Sequence, residues 1–98
     1  MEVVFASDEL DLLETDPSFN AKLPDAAVRK YRQVLQIIRS APDERDFYAL
    51  KSLHYEKLRG QRQHQRSMRL NAQWRLIVEI EEDQRNKRVR IVVIEDYH

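Results

Sequence analysis

The chain has 98 residues, 42% of them apolar, which is enough to pack a modest core within one domain spanning residues 1–98. It contains no cysteine, so disulfides and thiolate metal sites are excluded. No apolar run approaches the ~20 residues of a membrane span. The start, Met1 to Phe5, also lacks the basic and long apolar stretches of a secretory leader, so a soluble cytoplasmic protein with no membrane partner is expected. Seventeen basic residues balance seventeen acidic ones, so the surface as a whole does not attract polyanions. The charges are nevertheless segregated. Residues 1–25 hold seven acids and one base, whereas residues 51–75 hold seven bases and one acid, with His54 and His64 in the same window. A polyanion would be drawn to that second window and not to the whole surface, unless the acidic and basic segments simply face each other or water.

Val3 to Ala6 reads as a first strand. Ser7 is a helix cap with Asp8 and Glu9 in the first turn, Leu10, Leu12 and Leu13 form the apolar side, and Asp16-Pro17 stops the helix. Pro24 opens a longer helix. On it Val28, Tyr31, Leu35 and Ile38 recur on one face with Val34 and Ile37 beside them, and Ala41-Pro42 ends it. Asp43-Glu44 starts a short third helix through Ala49. Strand signals follow. Leu53 to Leu58 reads as extended, Gly60 marks a turn, and Ser67 to Leu70 alternates with Met68 and Leu70 on one face. Asn71-Ala72 makes a tight turn into a strand on which Trp74, Leu76, Val78 and Ile80 alternate with Arg75, Ile77 and Glu79. The polar run Glu81 to Lys87 reads as the next loop, and Arg88 to Asp96 as a last strand apolar on both faces, hence interior. Helices followed by a meander predict an α+β fold, with the N-terminal strand and helices packed on one face of an antiparallel sheet. Tyr31, Leu35 and Ile38 are expected to meet Trp74, Leu76 and Ile91 in the core.

The meander brings distant residues together. A turn centred near Ala72 sets Arg69 opposite Arg75, and a loop centred near Arg85 sets Tyr97 opposite Gln73. Arg69, Arg75 and Asp96-Tyr97-His98 would then share one end of the sheet, with His54 and Lys57 entering on the preceding segment. A slip of one residue would exchange faces.

Such a cluster has chemistry available to it. Arginine and lysine hold a phosphate and neutralise a pentacovalent transition state, while tyrosine and histidine move protons. Neighbouring cations would favour the phenolate of Tyr97. RNA can be cut without a metal if its 2′-hydroxyl is activated and the leaving 5′-oxygen is protonated, and DNA lacks that hydroxyl. Taken singly, each residue has an ordinary reading: surface histidines, a frayed terminus at His98, arginines on a solvated strand, a tyrosine covering a sheet end. Only their convergence favours a site. His54, His64, Asp96 and His98 could supply metal ligands, but their spacing matches no metal pattern, and a single glycine cannot build a phosphate-binding loop, so no cofactor is expected.

The segments Lys57-Leu58-Arg59-Gly60, Ser67-Met68-Arg69-Leu70-Asn71-Ala72-Gln73-Trp74-Arg75-Leu76 and Asp96-Tyr97-His98 resemble those of HigB-type toxins of the RelE/ParE superfamily. The likeness extends over essentially the whole chain. It implies a RelE-like fold and a toxin of a type II toxin–antitoxin system that cuts mRNA on the ribosome without metal. It also implies a helix-turn-helix, HigA-like antitoxin, with operator DNA bound only through the complex. By position, His54, Lys57, Arg75, Asp96, Tyr97 and His98 correspond to the family's catalytic set. Lys57, Arg59, Arg62, Arg66, Arg69 and Arg75 would contact RNA phosphates. Tyr97 or His98 would act as base, His54 as acid or positioning group, and Asp96 would orient a histidine. Met68 and Leu70 stand where many relatives carry isoleucine, and Gln61 where an aspartate is common. The alternatives are a non-catalytic toxin of the same fold that inhibits gyrase, or an antitoxin-binding corepressor module.

Overall fold

The computed structural model describes residues 1–84 and 86–96. Strand β1 (Glu2–Phe5) leads into helix α1 (Asp8–Thr15). Ser7 caps α1 by accepting a hydrogen bond at its Oγ from the Leu10 amide, 3.3 Å away. The Asp16 amide closes the last turn on Leu12 O. Helix α2 (Asp25–Ser40) follows Pro24 and buries Val28, Tyr31, Val34, Leu35 and Ile38. Ile37 is half-buried beside them. Leu10 and Leu13 of α1 face the core, but Leu12 points outward and is 46% exposed, because only one stripe of so short a helix can face the sheet. Helix α3 (Arg45–Ala49) contributes Phe47, and Ala41-Pro42 separates it from α2.

Five strands form one sheet in the order β1-β5-β4-β3-β2 among the described residues. These are β2 (Glu56–Lys57), β3 (Gln65–Arg69), β4 (Trp74–Asp83) and β5 (Asn86–Asp96). Strands β2 to β5 pair antiparallel, whereas β1 lies parallel to β5, with Glu2 beside Arg88 and Phe5 beside Ile91. The interior placement of β5 agrees with its two apolar faces. One face of the sheet, carrying Met68, Leu76, Val78, Val89 and Ile91, packs against Tyr31, Leu35 and Ile38. The Tyr31 hydroxyl donates to Leu10 O at 2.7 Å, which ties α2 to α1 inside that core.

Two expectations need correction. Leu53 to Leu58 is not one extended stretch. Lys51–Leu53 forms a single 3-10 turn, His54 adopts a left-handed conformation (φ 46°, ψ 50°), and strand geometry survives only at Glu56–Lys57. Leu53 and Tyr55 on either side of His54 are both buried. The run Glu81 to Lys87 is also not a loop. β4 continues to Asp83 and β5 resumes at Asn86, its direct partner, with Gln84 at φ 50° in the reversal. Glu81 pairs there with Arg88, and Glu82 with Lys87. Cross-strand opposite charges make a polar run a good exposed hairpin, which a hydrophobic pattern does not reveal.

Candidate active-site cleft

The turn at Asn71 fixes the geometry of the site. Asn71 Oδ1 accepts hydrogen bonds from the amides of Gln73 and Trp74, both at 2.8 Å. The Leu70 amide closes on Trp74 O at 2.9 Å. This side-chain-templated turn sets the register, and Arg69 stands directly opposite Arg75. The Met68–Leu76 pair next to it points into the core, so Arg69 and Arg75 project from the other face. Two neighbouring rows cross the sheet on that face. One is Glu56, Ser67, Ile77 and Val93; the other is Arg69, Arg75 and Glu95.

A cleft of about 260 Å³ opens over these rows, lined by Glu56, Ser67, Arg69 and Arg75, with His54 at one side and Asn71-Ala72 at the mouth. Ser67 is buried, and its Oγ accepts a hydrogen bond from Arg75 Nη1 at 3.4 Å. Arg75 is half-buried and thereby held in place, whereas Arg69 is exposed. His54 reaches the cleft from a left-handed backbone position, which costs a non-glycine residue roughly 1 kcal/mol. Such strain is retained where the side chain must point in one particular direction.

The remaining sequence-derived residues are placed differently. Lys57 pairs with Arg66, one residue out of phase with the Glu56–Ser67 row, so its register position belongs to the helix-covered face and it does not line the cleft. Arg66 Nη1 donates to the carbonyls of Gln63 and Gln65 at 3.1 and 3.2 Å, and its Nε lies 3.7 Å from Glu44 Oε2. Glu44 Oε2 also accepts from the Tyr55 hydroxyl at 2.8 Å, and burial, aided by that bond, pushes the Tyr55 phenol well above its ordinary range. Arg62 is bound on both Nη atoms by the Glu95 carboxylate, and its Nε donates to Gln65 Oε1 at 2.9 Å. Arg59 is exposed just before Gly60, which takes up the positive φ of 68° needed to start a 3-10 turn, Gly60–Arg62. Asp96 pairs with Trp74, and its Oδ2 accepts from Gln73 Nε2 at 3.2 Å, so the end of β5 is fastened to the Asn71 turn. Tyr97 and His98 lie outside the described residues.

Sequence reasoning missed Glu56 and Glu95. Glu56 lines the cleft, and Glu95 stands directly opposite Arg75 while its carboxylate grips Arg62. The alternation along β5 could have flagged Glu95, because it shares a face with Val93 beside the arginine row. Among the described residues no three His, Cys, Asp or Glu side chains gather as a metal-binding group.

Helices on one face of a five-stranded sheet, with a cationic cleft on the other, define the RelE-type toxin fold. A YoeB/ParE toxin from Agrobacterium tumefaciens has a similar structure, with a TM-score of 0.61 and 16% sequence identity over 100% of both chains. A family model described as the RelE-like toxin of the type II toxin–antitoxin system HigB matches residues 4–98, and the chain belongs to that family. A search of curated protein sequences finds no match. As a toxin of a type II system the chain has an antitoxin as its partner. Among the described residues, no helix is long and apolar enough to cross a membrane.

Proposed function

We propose that this toxin is a metal-independent endoribonuclease that cuts mRNA on the ribosome, in the cytoplasm, until a helix-turn-helix antitoxin of the HigA type silences it. The observation that carries this reading is the Arg69–Arg75 pair. Two guanidinium groups stand side by side on the cleft wall, where a bound phosphate could accept from both. The cleft would take the scissile phosphodiester against these two guanidinium groups. The RNA 2′-oxygen attacks phosphorus as its proton passes to a base, the P–O5′ bond breaks, and the leaving 5′-oxygen takes a proton. The products are a 2′,3′-cyclic phosphate and a 5′-hydroxyl. Arg75, braced by Ser67, neutralises the charge that builds on the equatorial oxygens.

Beside Glu56 at the cleft, His54 is suited to protonating the leaving oxygen or positioning the phosphate. Tyr97 or His98 serves as base in this scheme, with Asp96 orienting a histidine. Lys57 acts from the edge strand on a flanking phosphate rather than at the scissile one, in keeping with its register. Arg59 is free to do the same, whereas Arg62 and Arg66 chiefly brace the walls. The antitoxin complex, not the toxin alone, would bind operator DNA.

Regulated expression in a bacterial host tests the reading. Growth arrest with new mRNA 5′ ends inside translated frames, both lost in Arg75→Ala, is expected. Arrest with intact mRNA and damaged DNA would point to a gyrase-type inhibitor instead. Neither arrest nor cuts would point to a corepressor module.

A further inference from the structure

One acid stands among the basic groups of the cleft. Glu56 lies on β2, the outermost strand of the sheet, where its side chain is exposed, and it lines the same space as His54, Arg69 and Arg75. Elsewhere such charges are matched: Glu44, Glu79, Glu81 and Glu95 are each paired with an arginine. Glu56 makes no ion pair and no side-chain hydrogen bond among the described residues. The cations around it are directed elsewhere. Arg75 Nη1 donates to Ser67 Oγ at 3.4 Å, Arg66 turns to Glu44, and Lys57 belongs by register to the opposite face. The carboxylate is therefore an unengaged acceptor on the rim of an anion-binding cleft.

Its position decides which part of a nucleotide it can meet. A carboxylate repels phosphodiester oxygens, so phosphates are confined to the arginines. Glu56 pairs with Ser67, and Arg69 follows two residues later on the same face, which puts the arginine row about 7 Å further along the sheet. An attacking 2′-oxygen has to come within about 3–3.5 Å of phosphorus, and this keeps it over the arginine row as well. The nucleobase remains for the Glu56 row. An ionised carboxylate only accepts, and it is held best by two parallel donors. Among the four RNA bases only guanine offers two adjacent donors on its Watson–Crick edge, N1–H and the 2-amino group. Uracil presents there a single N–H between two carbonyls.

We infer that Glu56 selects guanine in the nucleotide whose phosphate rests on Arg69 and Arg75, an inference that rests on the reading of the cleft as a phosphate site for RNA. The base would enter over the edge strand, with its N1–H and 2-amino group donating to the Glu56 carboxylate and its phosphate one row deeper. Uracil in the same place would turn a carbonyl toward the carboxylate, so selection works by repulsion of the wrong base as well as by attraction of the right one. The arginine pair then supplies binding common to every nucleotide, and Glu56 supplies the choice.

Titration of the purified toxin with guanosine, inosine and uridine 3′-monophosphates, followed by NMR, tests the assignment without any cleavage step. Guanylate should bind at least about tenfold more tightly than uridylate or than inosinate, which lacks only the 2-amino group. Glu56→Gln, checked for unaltered circular dichroism, should bring the three nucleotides within about twofold of one another. Equal affinities in the wild type, binding of none of the three at millimolar concentration, or a guanylate preference that survives Glu56→Gln would overturn the proposal. On translating ribosomes the ratio of cuts at guanine to cuts at uracil should fall at least about tenfold in the same variant. An equal loss of cutting at every base would make Glu56 a proton-transfer group and overturn its role in base selection. Guanine-selective binding by a toxin that cuts no mRNA would sink the nuclease reading and leave guanine recognition by Glu56 standing.

Discussion

Arg69 and Arg75 face each other across β3 and β4 with no residue between them, and Glu95 completes the row on β5. A fold optimised for stability alone would not set two guanidinium groups in register on the wall of a cleft. Under the proposed function the pair serves to bind an anion. Replacing Arg69 with threonine should raise stability by about 0.5 kcal/mol through relief of that repulsion. The same change should cut mRNA cleavage by at least about tenfold. Urea unfolding and cleavage on translating ribosomes, measured on one preparation, read both quantities. A variant that loses stability and keeps full cleavage would contradict the assignment.

His54 holds a left-handed backbone at the cleft. Glycine accepts φ near 46° without the clash that histidine suffers, but it also enlarges the entropy of the unfolded chain. His54→Gly is expected to leave the melting temperature unchanged or raise it by a few degrees, an effect of about 1 kcal/mol at most. Cleavage should fall by about a hundredfold or more. His54→Asn, which tolerates the left-handed region, should retain the stability and not the activity. Thermal melts with parallel cleavage assays check both variants.

The Arg62–Glu95 clasp joins the 3-10 turn at Gly60–Arg62 to the end of β5. Both partners are partly exposed, at 44% and 30%, so the pair contributes modestly. A double-mutant cycle with Arg62→Ala and Glu95→Ala should give a coupling of about 0.5–1 kcal/mol at low salt and little at 1 M salt. Glu95→Ala should also raise the KM for ribosome-bound mRNA more than it lowers kcat, because it loosens the wall of the cleft rather than removing a reacting group. An equal fall in kcat would place Glu95 in the chemistry instead.

Tyr31 is buried and donates its only proton to Leu10 O. Burial first, then the neighbouring Glu14 and Asp11 charges, push its phenol well above the ordinary value of 10.0. The folded state thus holds this proton more tightly than the unfolded chain. The resulting stabilisation is complete below pH 10 and is lost as the pH rises beyond it, because only the unfolded chain readily ionises. Tyr55 carries a shift of the same sign. Urea midpoints should fall steeply above pH 10. Tyr31→Phe should cost about 1 kcal/mol at neutral pH through loss of that buried hydrogen bond, and should flatten part of the alkaline fall. A variant with the full alkaline slope would show that Tyr31 is not its source.

Much of this architecture is legible from periodicity and turn chemistry. The Val28, Tyr31, Leu35, Ile38 stripe defines α2 and its buried face without help from the structure. The turn at Asn71-Ala72 fixes the Arg69–Arg75 pairing, because a two-stranded register follows once the turn centre is known. The second hairpin shows both the reach and the limit of that method. Trp74 pairs with Asp96, in the frame that would set Tyr97 beside Gln73, a pairing that itself lies outside the described residues. Nearer the turn, Asp83 pairs with Asn86 one step out of that frame, and the bulge at Val92 absorbs the difference. No hydrophobic pattern announces a bulge inside a strand that is apolar on both faces. The left-handed His54 was equally hidden, since no glycine or turn dipeptide marks the position. The ion pairs that occupy Arg62 and Arg66 link residues 33 and 22 positions apart, and charge counting along a window cannot tell a braced arginine from an available one.

The most direct test adds purified toxin to ribosomes translating a defined mRNA and maps the 5′ ends produced by wild type and by Arg75→Ala, with folding of both verified by circular dichroism. Discrete cuts bearing 5′-hydroxyl ends in the presence of a metal chelator, reduced at least about a hundredfold by the substitution, are the expected result. Intact mRNA with the wild-type toxin, or undiminished cutting by folded Arg75→Ala, would contradict the assignment of this cleft as a ribonuclease site.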